Sequence, residues 1–372
     1  MLKEKGKGIT LVALVITIVI LLILAGISIS TLTNTGIFQK AKDAKKASEN
    51  AEKEQKQTLS EYERELNKYT AQELTDDKIN TVLSEKENTI LKDKFGNIFI
   101  LPAGFKVVVN DDTGNAKTVD KGIVIEDVTD TTTKGSQFVW VPVGTIYTDV
   151  EKVEANVKKI ELNRYTFDGG GIPTKQDENV VEIYYSETAD RKNTIAKNIQ
   201  DFKMSVGTNM GYYIGRYEAR KNSDEKITEV GTDIVWNNIT QPTAAIKSQT
   251  MYNSSNFTSD LMNSYAWDTA ILFLQNCGEK KYSRKTSVNS YFANMGTNAS
   301  NYTGTRDSQC NVFDMASNVF EWTTETSSFS NEPCVYRGGN YHYATYTSYR
   351  WNDGSSYANN GFGYRPILYI NI

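Results

Sequence analysis

Histidine is almost absent from this sequence, His342 being the only one in 372 residues. A zinc or non-haem iron site built on several imidazoles therefore lacks its ligands. Cysteine is scarce as well: Cys277, Cys310 and Cys334 show no CxxC spacing, and an odd count makes neither a disulfide framework nor a metal knuckle. One bridge and one free thiol outside the cell fit the count, with the pairing left open. There is no basic surplus either. A formal net charge of −4 and a pI near 5.4 argue against a nucleic-acid binder. Asp168, Glu218 and Asp268 fall at no spacing that points to acid–base chemistry, so no catalytic residue is assigned. Proline is scarce at six residues, whereas tyrosine reaches 22, and Asn, Ser, Thr and Gly crowd the C-terminal third. That profile suits an exposed, β-rich, loop-heavy domain better than a compact cytosolic enzyme.

Residues 9–30, ITLVALVITIVILLILAGISIS, carry no charge. As a helix they span about 33 Å, enough to cross a hydrocarbon core of roughly 30 Å. Lys3, Lys5 and Lys7 precede them against Glu4, which places the remainder outside a single-pass cell membrane. A cleaved signal peptide would show a shorter apolar region and a better small-x-small site than Ala25-Gly26. A plain uncleaved anchor is the simpler alternative. The run KGKG followed directly by the apolar stretch resembles the N-termini of type IV pilin-like proteins of Gram-positive bacteria. That resemblance implies peptidase processing between Gly8 and Ile9, and pilin-like subunits as partners. Pilins usually carry a glutamate at the fifth mature position, where this chain has Ala13, and the departure bears on assembly into a fibre.

From Gln39 to about Lys68 the chain turns to Lys, Glu, Ala and Gln without Pro or Gly, which predicts a long charged stalk helix. Leu59, Tyr62, Leu66 and Tyr69 recur at helical steps and form one narrow apolar stripe. Residues 71–94 read as a linker with some helix signal. Strand-like runs follow at 98–101, 106–109, 123–125 and 138–143, punctuated by Gly104, Gly114 and Gly135. Patterning breaks down over 168–191, a surface loop around Gly169-Gly170-Gly171. It resumes at 211–218 as an edge-like aromatic strand, and 259–276 reads as a helix.

Three C-terminal runs, NVFDMASNVFEW (311–322), VYRGGNY (335–341) and GFGYRPI (361–367), resemble the formylglycine-generating, sulfatase-modifying-factor family, whose members share a C-type-lectin-like core. YYIGRYEA (212–219) and the helix at 264–274 extend the resemblance over about 200–370. Arg337 and Arg365 are placed to clamp carboxylates such as Asp314 or Glu321, and Trp322 and Phe362 supply large apolar anchors. The true enzymes of the family hold copper on two cysteines a few residues after Arg-Gly-Gly. Those positions are Tyr343 and Ser348 here, neither of which can be a thiolate, and Cys334 lies ahead of the motif. Oxidase activity is therefore not expected. The resemblance also implies a structural calcium or sodium ion at Asn318 and Glu321; otherwise Glu321 pairs with an arginine.

The loop NYHYATYTSYRWNDGSSYANN (340–360) is nearly all aromatic, hydroxyl, amide or charged. Rigid aromatic area among adaptable polar groups is the mix of a recognition surface, and aromatic faces with amides also suit sugars. Tyr341, His342, Tyr343, Tyr346, Ser348, Tyr349, Trp351, Asn352, Asp353 and Tyr357 are the candidate contacts for an extracellular glycan or protein. The alternative is a tyrosine-rich flank that covers the domain's own core. The loop also resembles the variable region of retroelement-diversified surface proteins, whose codons are the direct test.

The expectation is an α+β chain: an N-terminal transmembrane and stalk helix, then a C-type-lectin-like, sulfatase-modifying-factor-type domain with short strands and long loops. Its parts are a basic leader (1–8), membrane helix and stalk (9–70), linker (71–94), a strand-rich part of the head (95–199) and the family-like domain (200–372). The function expected is non-enzymatic binding at a bacterial cell surface, with a structural minor pilin as the alternative.

Overall fold

The computed structural model describes residues 18, 20–21, 37–113, 116–128, 132–176, 199–221, 227–228, 234–286, 307–340, 343 and 345–372. The chain divides into two compact units, Met1–Tyr62 and Glu63–Ile372. Helix α1 (Ile37–Thr70) begins in the first and ends in the second. It has no Pro or Gly, and Glu52 stands one turn before Lys56 at 2.8 Å, the favourable order for a helical ion pair. Its stripe residues Leu59, Tyr62, Leu66 and Tyr69 are all exposed. Among the described residues no helix is long and apolar enough to cross a membrane. Most of the run at 9–30, and the processing pair Gly8 and Ile9, lie outside the described residues.

The second unit is a mixed α+β fold with mostly strands and few helices. Its principal strands are β1 (Gln72–Glu73), β2 (Thr89–Lys92), β3 (Ile98–Leu101), β4 (Phe105–Val108), β5 (Val124–Asp127), β6 (Gln137–Pro142), β7 (Gly211–Gly215) and β8 (Phe257–Leu261). They continue with β9 (Phe320–Thr326), β10 (Cys334–Arg337), β11 (Arg350–Asp353), β12 (Phe362–Tyr364) and β13 (Pro366–Ile370). Helices α2 (Ile199–Asn209), α3 (Gln241–Gln249) and α4 (Ser264–Cys277) pack around them.

A six-stranded sheet, ordered β8-β13-β7-β6-β5-β4, forms the centre. Phe138, Val139, Trp140 and Val141 in β6 are all buried, as every residue of β7 is, so this layer is covered on both faces. Two expectations are corrected here. The strand expected at the edge over 211–218 spans only 211–215 and is interior, paired with β6 on one side and β13 on the other. Its tyrosines tolerate that position because their hydroxyls donate to buried carbonyls, Tyr212 to Ala266 O at 2.5 Å and Tyr213 to Ile100 O at 2.9 Å. Gly211 lets the Trp140 ring lie where a Cβ would stand 2.2 Å from Cζ2. The helix expected at 259–276 starts only at Ser264. Ser259 to Leu261 pair with β13 instead, and the Asn263 side chain caps α4 by accepting from Ala266 N at 2.9 Å.

The linker reading of 71–94 also changes. Strand β2 pairs with β3, Leu91 is fully buried, and β1 joins on the other side. The apolar pair Ile90-Leu91 sits among charged neighbours, so its burial depends on cross-strand partners that no local pattern displays. Nor do strands before and after residue 200 separate, because β4–β6 share one sheet with β7, β8 and β13. In the loop expected at 168–191, Asp168 Oδ1 accepts from Gly170 N and Ile172 N, both at 2.8 Å. Residues 177–198 lie outside the described residues.

A second sheet, ordered β11-β10-β9-β12, carries the family-like motifs. Strands β9 and β12 run parallel, the other pairs antiparallel. Between β12 and β13 the chain passes from this sheet to the central one through a single residue, Arg365.

Candidate functional site

Strand side chains alternate between faces, and register carries that alternation across a sheet. In the four-stranded sheet Phe320 pairs with Phe362, Trp322 with Tyr336 and Tyr364, and Tyr336 with Trp351. Glu321 pairs with Arg337 and Gly363, and Arg337 with Arg350. One face is thus aromatic and the other ionic.

On the ionic face Arg337 is buried, contacts Asp268 of α4 through Nη2, approaches Glu325 at 3.4 Å and donates from Nε to Tyr349 O at 3.1 Å. Arg350 lies 2.9 Å from Asp268 Oδ2 and 2.8 Å from Glu325 Oε1. Arg164 reaches Glu325 at 3.2 Å and Ser264 Oγ at 3.1 Å. Three guanidinium groups therefore share two carboxylates, and Asp268 also accepts from Tyr165 N at 2.9 Å. Burial, followed by the neighbouring Arg350 charge, lowers the Arg337 pKa from its ordinary value. Arg365 closes the junction between sheets. It binds Glu321 with two donors, at 3.0 and 2.6 Å, and gives the rest to Gly215 O and Phe313 O, each at 2.8 Å. Such a planar, bidentate pair fixes orientation as well as distance. The expectation for Arg365 with Glu321 matches this geometry, whereas Arg337 pairs with Asp268 and Glu325 rather than with Asp314 or Glu321.

Next to that junction lies a group of buried carboxyls. Asp314 is pushed up to about 7, by burial first and the Asp307 charge second. Glu218 is raised well above its ordinary value by burial, then by Asp314 and Glu321, and Glu321 is raised by burial against the opposing pull of Arg365. Asn318 donates its side-chain amide to Glu218, and both Glu321 oxygens are engaged by Arg365. The residues read as a hard-cation turn are therefore bound to other protein groups. Among the described residues no group of three or more His, Cys, Asp and Glu is arranged to hold a metal ion.

The aromatic face supports a cavity of about 550 Å³. Phe320, Tyr336 and Phe362 supply its buried rings, with centroids 4.8 to 5.4 Å apart. Tyr343, Tyr349 and Tyr357 of the loop complete the aromatic lining. Tyr357 meets Phe362 edge-on at 5.2 Å, and Tyr343 lies nearly parallel to Phe320 at 6.4 Å. Tyr343 is 60% exposed and Tyr357 38%, so large rings stay accessible above a covered floor. Burial, then the nearby Tyr349 and Asp353, raises the Tyr336 pKa. Asn340, Thr345, Asp353, Asn359, Asn360 and Gly361 fill the remaining lining, and among the described residues it contains no Lys or Arg. Under the loop's start, Gly338 adopts φ +84, and a Cβ on Gly339 would stand 2.2 Å from Ala316 O. Neither position accepts a side chain without moving backbone.

Of the contacts expected from sequence, Tyr343, Tyr349, Asp353 and Tyr357 meet at this cavity. Four others do not line it. Tyr346 stacks under the Arg284 guanidinium at 3.4 Å, Ser348 N donates to Ser283 O at 3.0 Å, and Asn352 donates to Glu332 at 3.0 Å. Trp351 stacks on Tyr349 at 6.3 Å, 56% exposed and outside the lining. Tyr341 and His342 lie outside the described residues. Sequence reasoning missed Phe320, Tyr336, Asn340 and Asn359 as lining, and Asp268, Glu325 and Arg350 as the ionic support. Strand alternation in FEWTTET would have separated Phe320 and Trp322 from Glu321 and Glu325; Asp268 had no such local signal.

No protein-family model matches the sequence, and no curated protein matches it. Among solved structures the chain is similar to CarF, with TM-score 0.28 and 11% identity, over 44% of this chain and 87% of that one. It is also similar to Treponema denticola variable protein 1, with TM-score 0.34 and 10% identity, over 63% of this chain and 96% of that one. At these TM-scores neither likeness bears on function.

Proposed function

We propose that this chain is a non-enzymatic bacterial cell-surface binding protein whose ligand enters the aromatic cavity of the four-stranded sheet. One observation carries the reading: exposed loop tyrosines stand over buried rings around a 550 Å³ space, while the opposite sheet face is locked by ion pairs. The cavity's lining pairs aromatic rings with amide, hydroxyl and carboxyl groups, the kind of polar set that fixes a ligand's orientation in a concave site. The head is read as a C-type-lectin-like, sulfatase-modifying-factor-type domain, on the strength of its Arg-Gly-Gly and Gly-Phe-Gly-Tyr-Arg motifs. Tyr343 and Ser348, at the positions of the family's copper thiolates, support binding without oxidation.

The uncharged run 9–30 behind Lys3, Lys5 and Lys7 supports a membrane anchor with the head outside, and its leader supports pilin-type processing. The exposed stripe on α1 favours a second role as a minor pilin that contacts neighbouring subunits. Full-length protein applied to glycan and protein arrays tests the first reading. A ligand lost with Tyr343→Ala and Tyr349→Ala supports it, and a folded protein that captures nothing overturns it. A mature start at Ile9 in sheared material, found by mass spectrometry, would support the pilus-borne form; an intact Met1 confined to membranes would remove it.

A further inference from the structure

The charge of the cavity and the state of its polar groups narrow the ligand class. Three polar side chains of the lining are engaged within the loop. Asn340 Oδ1 accepts from Tyr343 N at 2.8 Å, and Thr345 Oγ1 donates to Gly338 O at 3.2 Å. Asn359 donates to Tyr357 Oη at 2.6 Å and accepts from Gly361 N at 2.7 Å. A sugar, which needs a fan of donors and acceptors for its hydroxyls, would have to displace these contacts.

Asp353 differs. Its Oδ1 accepts from Gly354 N at 2.8 Å, and Oδ2 takes no hydrogen bond from the described residues. Among the described residues Asp353 is the one charged group of the lining, and six aromatic rings share it. Ring faces carry negative quadrupole potential, and a carboxylate adds to the same sign. Among the described lining residues an anionic ligand would find no positive partner. A cation that needs no hydrogen bond would find attraction from both the rings and the carboxylate.

We infer that the cavity takes a quaternary or fully methylated ammonium group, held by its aromatic rings and balanced by Asp353. The inference rests on the reading of this cavity as the ligand site. Choline-type head groups and trimethylated lysine both present that chemistry.

The test is calorimetric titration of the full-length protein, in a detergent free of choline and sugar, with choline, phosphocholine and Nε-trimethyllysine. The neutral choline isostere 3,3-dimethylbutan-1-ol and glucose serve as comparison probes. Choline is expected to bind at least about tenfold more tightly than its isostere, the scale of a desolvated cation–π contact. Asp353→Asn, which keeps the acceptor for Gly354 N, is expected to weaken choline about fivefold without changing the melting temperature. Tighter binding of phosphocholine or of trimethyllysine than of choline identifies the carrier and supports the inference. Equal binding of choline and the isostere overturns it. So does a folded protein that ignores every ammonium yet captures a glycan or protein on the arrays, an outcome that leaves the cavity as a recognition site. A folded protein with no ligand in either experiment overturns both readings.

Discussion

The two faces of the four-stranded sheet differ in kind although they are built from alternate residues of the same strands. On the ionic face Arg337, Asp268 and Glu325 are at most 3% exposed, and every named charge has a partner. On the aromatic face Phe320 and Tyr336 are covered, but Tyr343 and Trp351 above them are more than half exposed. Desolvated charges are costly unless paired, so substitution on the first face acts on folding. Exposed rings contribute little to folding, so substitution above the second should leave stability nearly unchanged. Position 337 and position 343 are six residues apart in sequence, yet they answer to different constraints.

The largest effect that could break this contrast is at Arg365. Arg365→Met leaves Glu321 buried without its guanidinium and is expected to cost about 3–5 kcal/mol in urea denaturation. Adding Glu321→Leu should recover part of that loss, since a neutral pair no longer strands a charge. Unchanged urea resistance in the single variant would show that the ionic face is no lock. Gly339→Ala drives a methyl into the Ala316 carbonyl and should cost about 2–4 kcal/mol, read as a fall in melting temperature.

A smaller effect is a dependence on pH. Asp314 is raised to about 7 in the folded state, and Glu218 and Glu321 are raised too. The folded chain therefore keeps protons that the unfolded chain releases near an ordinary carboxylate pKa of about 4. Their contribution to stability is complete below that value and declines as pH rises through about 7. Melting curves from pH 5 to 8 should shift downward, and Asp314→Asn should flatten that trend, its gain over the parent growing with pH. A variant curve parallel to the parent would contradict the assignment to Asp314.

The smallest expected change in stability sharpens the comparison from the other side. Tyr343→Ala and Trp351→Ala should each alter unfolding by no more than about 0.5 kcal/mol. Only Tyr343 lines the cavity, so only its replacement should weaken the ligand, with Trp351 as the internal control. Matching binding losses in both would enlarge the site beyond the cavity.

The sequence displayed some of this architecture and concealed the rest for physical reasons. Residues 98–101 form β3 as the local pattern indicates, because a short apolar run between turn residues has few alternatives. Arg365 and Glu321 were legible as partners in the first and third of the C-terminal motifs. The partner of Arg337 was not, since Asp268 arrives from a helix 69 residues earlier and depends on how α4 packs under the sheet. The tyrosines of the loop announced a surface, but their floor did not. Phe320, Tyr336 and Phe362 meet only because β9 pairs in parallel with β12 and antiparallel with β10, a register that residue types alone do not specify. The interior position of β7 was hidden by tyrosines that read as exposed until carbonyl partners are found for their hydroxyls.

The placement of β10 and β12 on either side of β9 has a consequence for how this protein can change. The excursion that leaves after Arg337 and returns at Phe362 begins and ends on strands two lattice steps apart, about 10 Å at ordinary strand spacing. Closing such a span costs entropy that grows only with the logarithm of the length enclosed. Gly338, Gly339 and Arg350 tie the excursion to the scaffold, whereas exposed residues such as Tyr343 and Tyr357 can be exchanged while both attachment points stay fixed. The scaffold with these ties therefore works as a socket, and the exposed part of the excursion as a cartridge whose outer side chains can be rewritten without redesigning what holds it.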